Sequence, residues 1–137
     1  MKQKRIWTNG CFDILHRGHI ELFRHAKSLG DKLIVGIDTD ERVKLDKGGD
    51  RPINTLDDRI YVLNSIKYID MVVPFKSTEE LEMKIKYWSP TIMVIGSDWK
   101  GKEVVGQEHA QQLVFFDRIG NYSTTNIIKE NKKFLLI

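Results

Sequence analysis

Two histidines three residues apart, His16 and His19 in the stretch "TNGCFDILHRGHIELF", follow an apolar run that reads as a strand, with Arg17 and Gly18 between them. If a helix begins near Gly18, its first N–H groups and positive dipole end form a ready place for phosphate. Two imidazoles beside it would donate hydrogen bonds to phosphate oxygens whose charge grows during a transfer, which is electrostatic rather than covalent catalysis. Gly18 removes a side chain, so a ligand can approach the backbone closely. Taken alone, the pair admits two other readings. The imidazoles are solvated side chains on a helix, or they bind metal with Cys11 or Asp13, although transition-metal sites usually bring three or four convergent ligands.

Further along, Lys44, Lys47 and Arg51 sit in or beside the polar segment "LDKGGDRPIN", Leu45 to Asn54, which reads as the one long loop. Long loops in compact domains are often functional, and these cations would reach a triphosphate from above; a solvated charge cluster is the plainer account. Arg59 falls on a helical segment and reads as a surface residue. In "GNYSTTNI", Ser123, Thr124 and Thr125 stand at a helix start and offer hydroxyls and N–H groups to a second anion, as they would also serve an ordinary N-cap. In "IGSDWKG", Gly96 allows backbone approach, Asp98 is placed to hold a ribose or base edge, and Trp99 to stack.

The elements that must position these groups are short apolar runs alternating with helical periodicity. Ile6 to Thr8, Lys32 to Ile37, Met71 to Val73, Thr91 to Ile95 and Leu113 to Phe116 are rich in β-branched or aromatic residues and too short for helices. Between them, Leu22, Phe23, Ala26 and Leu29 repeat at helical spacing up to Gly30. Leu56, Ile60, Leu63 and Ile66 do so after Thr55, which has Asp58 three residues on as a near capping box. Ser77 or Thr78 opens a helix running to about Tyr87, stopped by Ser89-Pro90, and a last helix begins near Ser123 and carries Ile127 and Ile128. This order predicts an α/β fold: a Rossmann-like single domain over 1–137, with a mostly parallel five-stranded sheet and helices on both faces. Such sheets bind ligands at the carboxyl ends of their strands, where the strand order reverses, and the two histidines lie at that end of the first strand.

Composition narrows the class. The 137 residues, 41% hydrophobic and 30% charged, suit one globular domain. No apolar run approaches the roughly 18 residues of a membrane span, and no signal-peptide region follows Met1 to Arg5. A cytoplasmic location is therefore expected, with no membrane partner. Cys11 is the single cysteine, which excludes an internal disulfide and a Cys-rich zinc site. The net charge of +3 suits phosphorylated ligands, but the lysines are scattered rather than striped, so no nucleic-acid partner is expected. The apolar tail Phe134 to Ile137 is expected to pad the core, with cover of a subunit interface as the alternative.

The segment "GCFDILHRGHIELF" resembles the HxGH signature of the cytidylyltransferase-like nucleotidyltransferases, and "YSTTNII" resembles that superfamily's second signature, the Ser/Thr-rich start of its last helix. The resemblance runs from Trp7 to Lys129. Within the superfamily, "TNGCFDILHRGH", "KGGDRPIN", "LDDRIYVLNSI" and "STTNIIK" are most similar to the adenylyltransferase domains of bacterial ADP-heptose synthases. "IGSDWKGK" is instead closer to glycerol-3-phosphate cytidylyltransferases. By this resemblance, His16 and His19 would contact the nucleotide phosphates and stabilise the transition state. Lys44 or Lys47 would bridge the α-phosphate and the acceptor phosphate, and Ser123, Thr124 and Thr125 would hold the β and γ phosphates. Asn9, Gly10, Cys11, Phe12 and Gly18 would line the nucleotide; Gly96, Asp98, Trp99 and Arg118 would serve its base and ribose side. Asp13, Asp38 and Arg59 would lie near the acceptor.

The resemblance thus implies transfer of a nucleoside monophosphate from NTP, with ATP expected, to a sugar or polyol phosphate such as D-glycero-D-manno-heptose 1-phosphate. Mg²⁺ would ride on the phosphates with no protein side chain as ligand. A CTP:glycerol-3-phosphate cytidylyltransferase is the alternative, and a nucleotide-binding module without catalysis is the alternative of another class. A class I aminoacyl-tRNA synthetase, which uses a related His-Gly-His pattern, is disfavoured by length. A homodimer is expected from relatives, and a sugar kinase, often fused to the heptose transferase, would have to be separate unless the chain is a fragment.

Overall fold

A computed structural model describes residues 2–117, 120, 123, 125 and 127–129. Five strands, β1 (Arg5–Gly10), β2 (Lys32–Asp38), β3 (Met71–Phe75), β4 (Ile92–Gly96) and β5 (Gln112–Phe116), form one sheet in the order β3-β2-β1-β4-β5. Every pairing is parallel. The helices are α1 (Arg17–Ser28), α2 (Asp40–Lys47), α3 (Leu56–Asn64) and α4 (Thr78–Trp88), with helical backbone again at residues 125 and 127–129. Among the described residues no helix is long and apolar enough to cross a membrane. The expected strands and the α/β class are borne out; Arg118, Thr124 and the Phe134 to Ile137 tail lie outside the described residues.

Alternation along the strands fills two cores, because successive side chains point to opposite faces of a sheet. Ile6, Leu33, Val35 and Ile37 pack with Phe23, Ala26 and Leu63 of α1 and α3, whereas Trp7, Ile34 and Met93 pack with Leu81 and Ile85 of α4. Each buried Val, Leu, Ile, Phe or Met side chain among these contributes about 1.5–3 kcal/mol. Trp7 demands a neighbour without a side chain: a Cβ at Gly36 would stand 2.5 Å from its Cζ2. In return the buried indole Nε1–H donates to Asn9 Oδ1 at 2.9 Å, which orients that carboxamide at the end of β1.

Local signals set the helix ends. Thr55 accepts from the Asp58 N–H and Ser77 from the Glu80 N–H, as N-caps do. The reading of Leu45 to Asn54 as one loop is corrected: α2 runs through Lys47, and Gly48, at φ 105°, ends it. Only Val43 of α2 is buried, so no apolar period marks it; its charge order does, with Asp40 and Glu41 in the first turn and Lys44 and Lys47 in the last.

The sheet also opens where a ligand would enter. β1 pairs with β2 over six residue pairs up to Gly10, but with β4 only at Ile6–Ile92 and Trp7–Met93. Beyond that point the two central strands are no longer paired, and a crevice forms between their carboxyl ends. It lies where chain order reverses, since β2 and β3 lie on one side of β1 and β4 and β5 on the other.

Candidate active site

Above this crevice lie two adjoining cavities of about 330 and 310 Å³, which share Asn9, Gly10, Cys11, Lys47, Gly96 and Trp99 as walls. The first adds His16, Gly18, His19, Asp98, Ser123 and Thr125, together with Phe12 and Asp13. The second adds Asp38, Arg42 and Asp46 against an apolar wall that includes Phe75 and Val104. Arg42 and Asp46 escaped the sequence reading because they belong to the unanticipated α2. Gly96 faces open space, with nothing within 4 Å of where a Cβ would sit.

The loop after β1 delivers the histidines. Phe12 takes a left-handed backbone, φ 50°, that costs a non-glycine residue energy. Its buried ring packs on Phe23 at 5.1 Å and edge-on to His19 at 5.5 Å between centroids. His16 then caps α1: the Gly18 N–H donates to His16 Nδ1 at 3.1 Å, and the His16 N–H donates to His19 Nδ1 at 3.2 Å. This is a capping box built from two imidazoles, stacked at 3.9 Å between centroids. Because both Nδ1 atoms accept, the network assigns each ring hydrogen to Nε2. Burial, with His16 alongside, pulls the His19 pKa down to about 4, so this ring is a neutral donor at physiological pH. The expectation of free helix N–H groups is corrected: Gly18 gives its N–H to His16 Nδ1, and His19 gives its N–H to His16 O at 3.1 Å.

The acidic and basic residues separate by role. Asp13 has a fully buried side chain that accepts from the Ile53 and Asn54 N–H groups, at 2.7 and 2.8 Å, and from Arg51 Nε at 3.2 Å. It pins the 48–54 connection to the histidine loop, and its oxygens are committed there rather than offered to a metal or an acceptor. Asp38 pairs with Arg42 at 2.7 Å on the wall of the second cavity, and burial raises its pKa. Burial likewise raises the Cys11 thiol.

Lys47 stands on the wall common to both cavities, but Lys44, one helical turn earlier, lines neither. Arg59 is corrected on two counts: it is neither a surface residue nor on the wall of either cavity, but is 2% exposed with its donors spent on the protein itself.

A parallel sheet with its polar crevice at the switch point defines a Rossmann-like α/β domain with its ligand site at the strand ends. A family model described as cytidylyltransferase-like matches residues 7–130, and the chain belongs to that family, as its two signatures anticipated. It is 46% identical over 134 residues to the bifunctional protein HldE of Aliarcobacter butzleri, covering 96% of this chain and 28% of that protein. It is 47% identical over 130 residues to the bifunctional protein HldE of Helicobacter hepaticus, covering 94% and 27%. The chain thus spans little more than a quarter of the length of these relatives. The crystal structure of the lipopolysaccharide core biosynthesis protein from Thermoplasma volcanium GSS1 shares the fold, with a TM-score of 0.65 at 24% identity over 89% of this chain and 100% of that one. With the family comes the expected nucleotidyltransferase class.

Proposed function

We propose that this domain transfers a nucleoside monophosphate from ATP to a sugar phosphate such as D-glycero-D-manno-heptose 1-phosphate, releasing pyrophosphate. The observation that carries the reading is the reciprocal imidazole cap, which puts the ring hydrogen of both histidines on Nε2 as preorganised donors on the wall that also holds Ser123 and Thr125. The nucleotide takes the first cavity, with Thr124 and Arg118 serving its phosphate and base sides. The acceptor takes the second, near Asp38, and Lys47 bridges the two phosphates where the cavities meet.

An acceptor phosphate oxygen attacks the α-phosphorus in line, a P–O bond forms, and the bond to the bridging oxygen breaks as pyrophosphate leaves. A phosphate monoester is largely ionised near neutral pH, its second pKa being about 6, so no strong base is needed. Positioning and charge neutralisation supply the rate. Among the described residues, the one group of three metal-capable side chains is Glu82, Glu108 and His109, none of which lines either cavity. The donor set of the crevice therefore suits Mg²⁺ held by phosphate oxygens and water. When bound, such an ion would supply charge neutralisation to the phosphates.

A second reading, CTP with glycerol 3-phosphate, rests on the resemblance of "IGSDWKGK" to glycerol-3-phosphate cytidylyltransferases, since Gly96, Asp98 and Trp99 of that segment line the first cavity. Pyrophosphate release with Mg²⁺, across the four NTPs and both acceptors, separates the two. Turnover with ATP and the heptose phosphate is expected, and turnover confined to CTP and glycerol 3-phosphate would replace it. Nucleotide binding without turnover on any acceptor would leave only a binding module.

A further inference from the structure

Arg59 lies on α3, outside the walls of both cavities, and its side chain is wholly buried. A guanidinium taken out of water must have its donors met, and the partners here form a pattern. Nε donates to Asn54 O at 3.0 Å, Nη1 to Cys11 O at 2.9 Å and to Asp38 O at 2.8 Å, and Nη2 to Asp40 Oδ1 at 2.7 Å. Cys11 follows β1 and lines both cavities; Asp38 ends β2 and lines the second; Asp40 begins the helix that ends at Lys47. Asn54 in turn grips Asp13 through its main-chain and side-chain N–H groups. One planar fork therefore joins the strand ends that floor the crevice to the helix that carries the lysine, and it presents no surface to a ligand.

We propose that Arg59 is a positioning residue that holds Lys47 onto the nucleotide phosphates without touching substrate. The inference rests on the nucleotidyl-transfer reading for the place of the phosphates. It separates Arg59 from acceptor binding: loss of the fork lets α2 shift, and a displacement of about 1 Å at a phosphate contact costs on the order of 10²-fold in rate.

The test is a double-mutant cycle. Arg59→Lys keeps the charge and loses the fork; Asp40→Ala removes only the contact to α2, at a partly exposed residue, and serves if Arg59→Lys does not fold. Each is made alone and with Lys47→Ala, with ATP affinity read by calorimetry and pyrophosphate release read at saturation. Each single change is expected to lower ATP affinity or kcat by about tenfold, and by less than about twofold once Lys47 is gone, since coupled residues are not additive. The acceptor KM should rise no more in either variant than it does in Lys47→Ala.

Equal losses with and without Lys47 would overturn the proposal. So would a tenfold rise in acceptor KM that persists in full in the Lys47→Ala background, which would make Arg59 an acceptor contact. Absence of turnover with every acceptor would count against nucleotidyl transfer, while the affinity cycle would still decide Arg59 by coupling or additivity.

Discussion

The proposed mechanism gives His16 two jobs with two nitrogens, and substitutions can separate them. Nδ1 accepts the Gly18 N–H at 3.1 Å and closes the first turn of α1; Nε2 carries the ring hydrogen that the proposed mechanism offers to phosphate. In His16→Asn the side-chain oxygen falls near the position of Nδ1, and asparagine is among the best N-caps, so the helix keeps its cap and folding stability changes by less than about 0.5 kcal/mol. The phosphate donor is gone, and kcat should fall by about 10²–10³, or about 2.7–4 kcal/mol of barrier, as for loss of one preorganised donor. In His16→Gln the amide reaches toward Nε2 but caps poorly. Stability should fall by about 1 kcal/mol, and kcat should fall less than in His16→Asn. Urea melts and pyrophosphate release at saturating substrates measure the two axes. Activity of His16→Asn within about threefold of the parent would refute the donor role, and a loss of stability as large as that of His16→Ala would refute the cap.

His19 predicts a pH dependence. Its folded pKa of about 4 lies below the ordinary 6.5, so the unfolded chain binds the proton more readily. Stability from this residue is present above pH 6.5 and is lost as pH falls toward 4. Thermal melts from pH 7 to 4 check this, and His19→Asn should flatten the slope. Lys47→Ala should lower kcat by about 10²-fold and Lys44→Ala by less than about threefold; equal effects in steady-state kinetics would deny Lys47 its bridging place. Gly36→Ala should cost about 1–3 kcal/mol by overpacking against Trp7, read from the urea midpoint, and a neutral result would mean that the indole has room to move.

Much of this protein is written locally. The strands at Lys32 to Ile37 and Thr91 to Ile95 are short, apolar and β-branched, and burial on both faces of a parallel sheet asks for no other pattern. Thr55 and Ser77 cap their helices through hydrogen bonds that span three residues, so their sequence neighbours suffice to place them. The histidine pair was legible as a helix start for the same reason, since its capping hydrogen bonds span only two and three residues.

What the chain could not reveal depends on groups far apart in it. Asp13 and Arg51 meet across 38 residues, and Arg59 reaches Cys11 across 48; as a string, "LDDR" looks like any exposed helix turn. The short α2 is held by charge order and one buried valine, which leaves no apolar period to read. Lys47 rather than Lys44 meets the crevice because of the rotation of that helix over the sheet. The histidine tautomers, too, follow from where two backbone N–H groups point. Local sequence determined which groups could do chemistry; tertiary packing decided which of them face the crevice and which are bound up within the fold, because a buried charge takes its meaning from the partners that surround it.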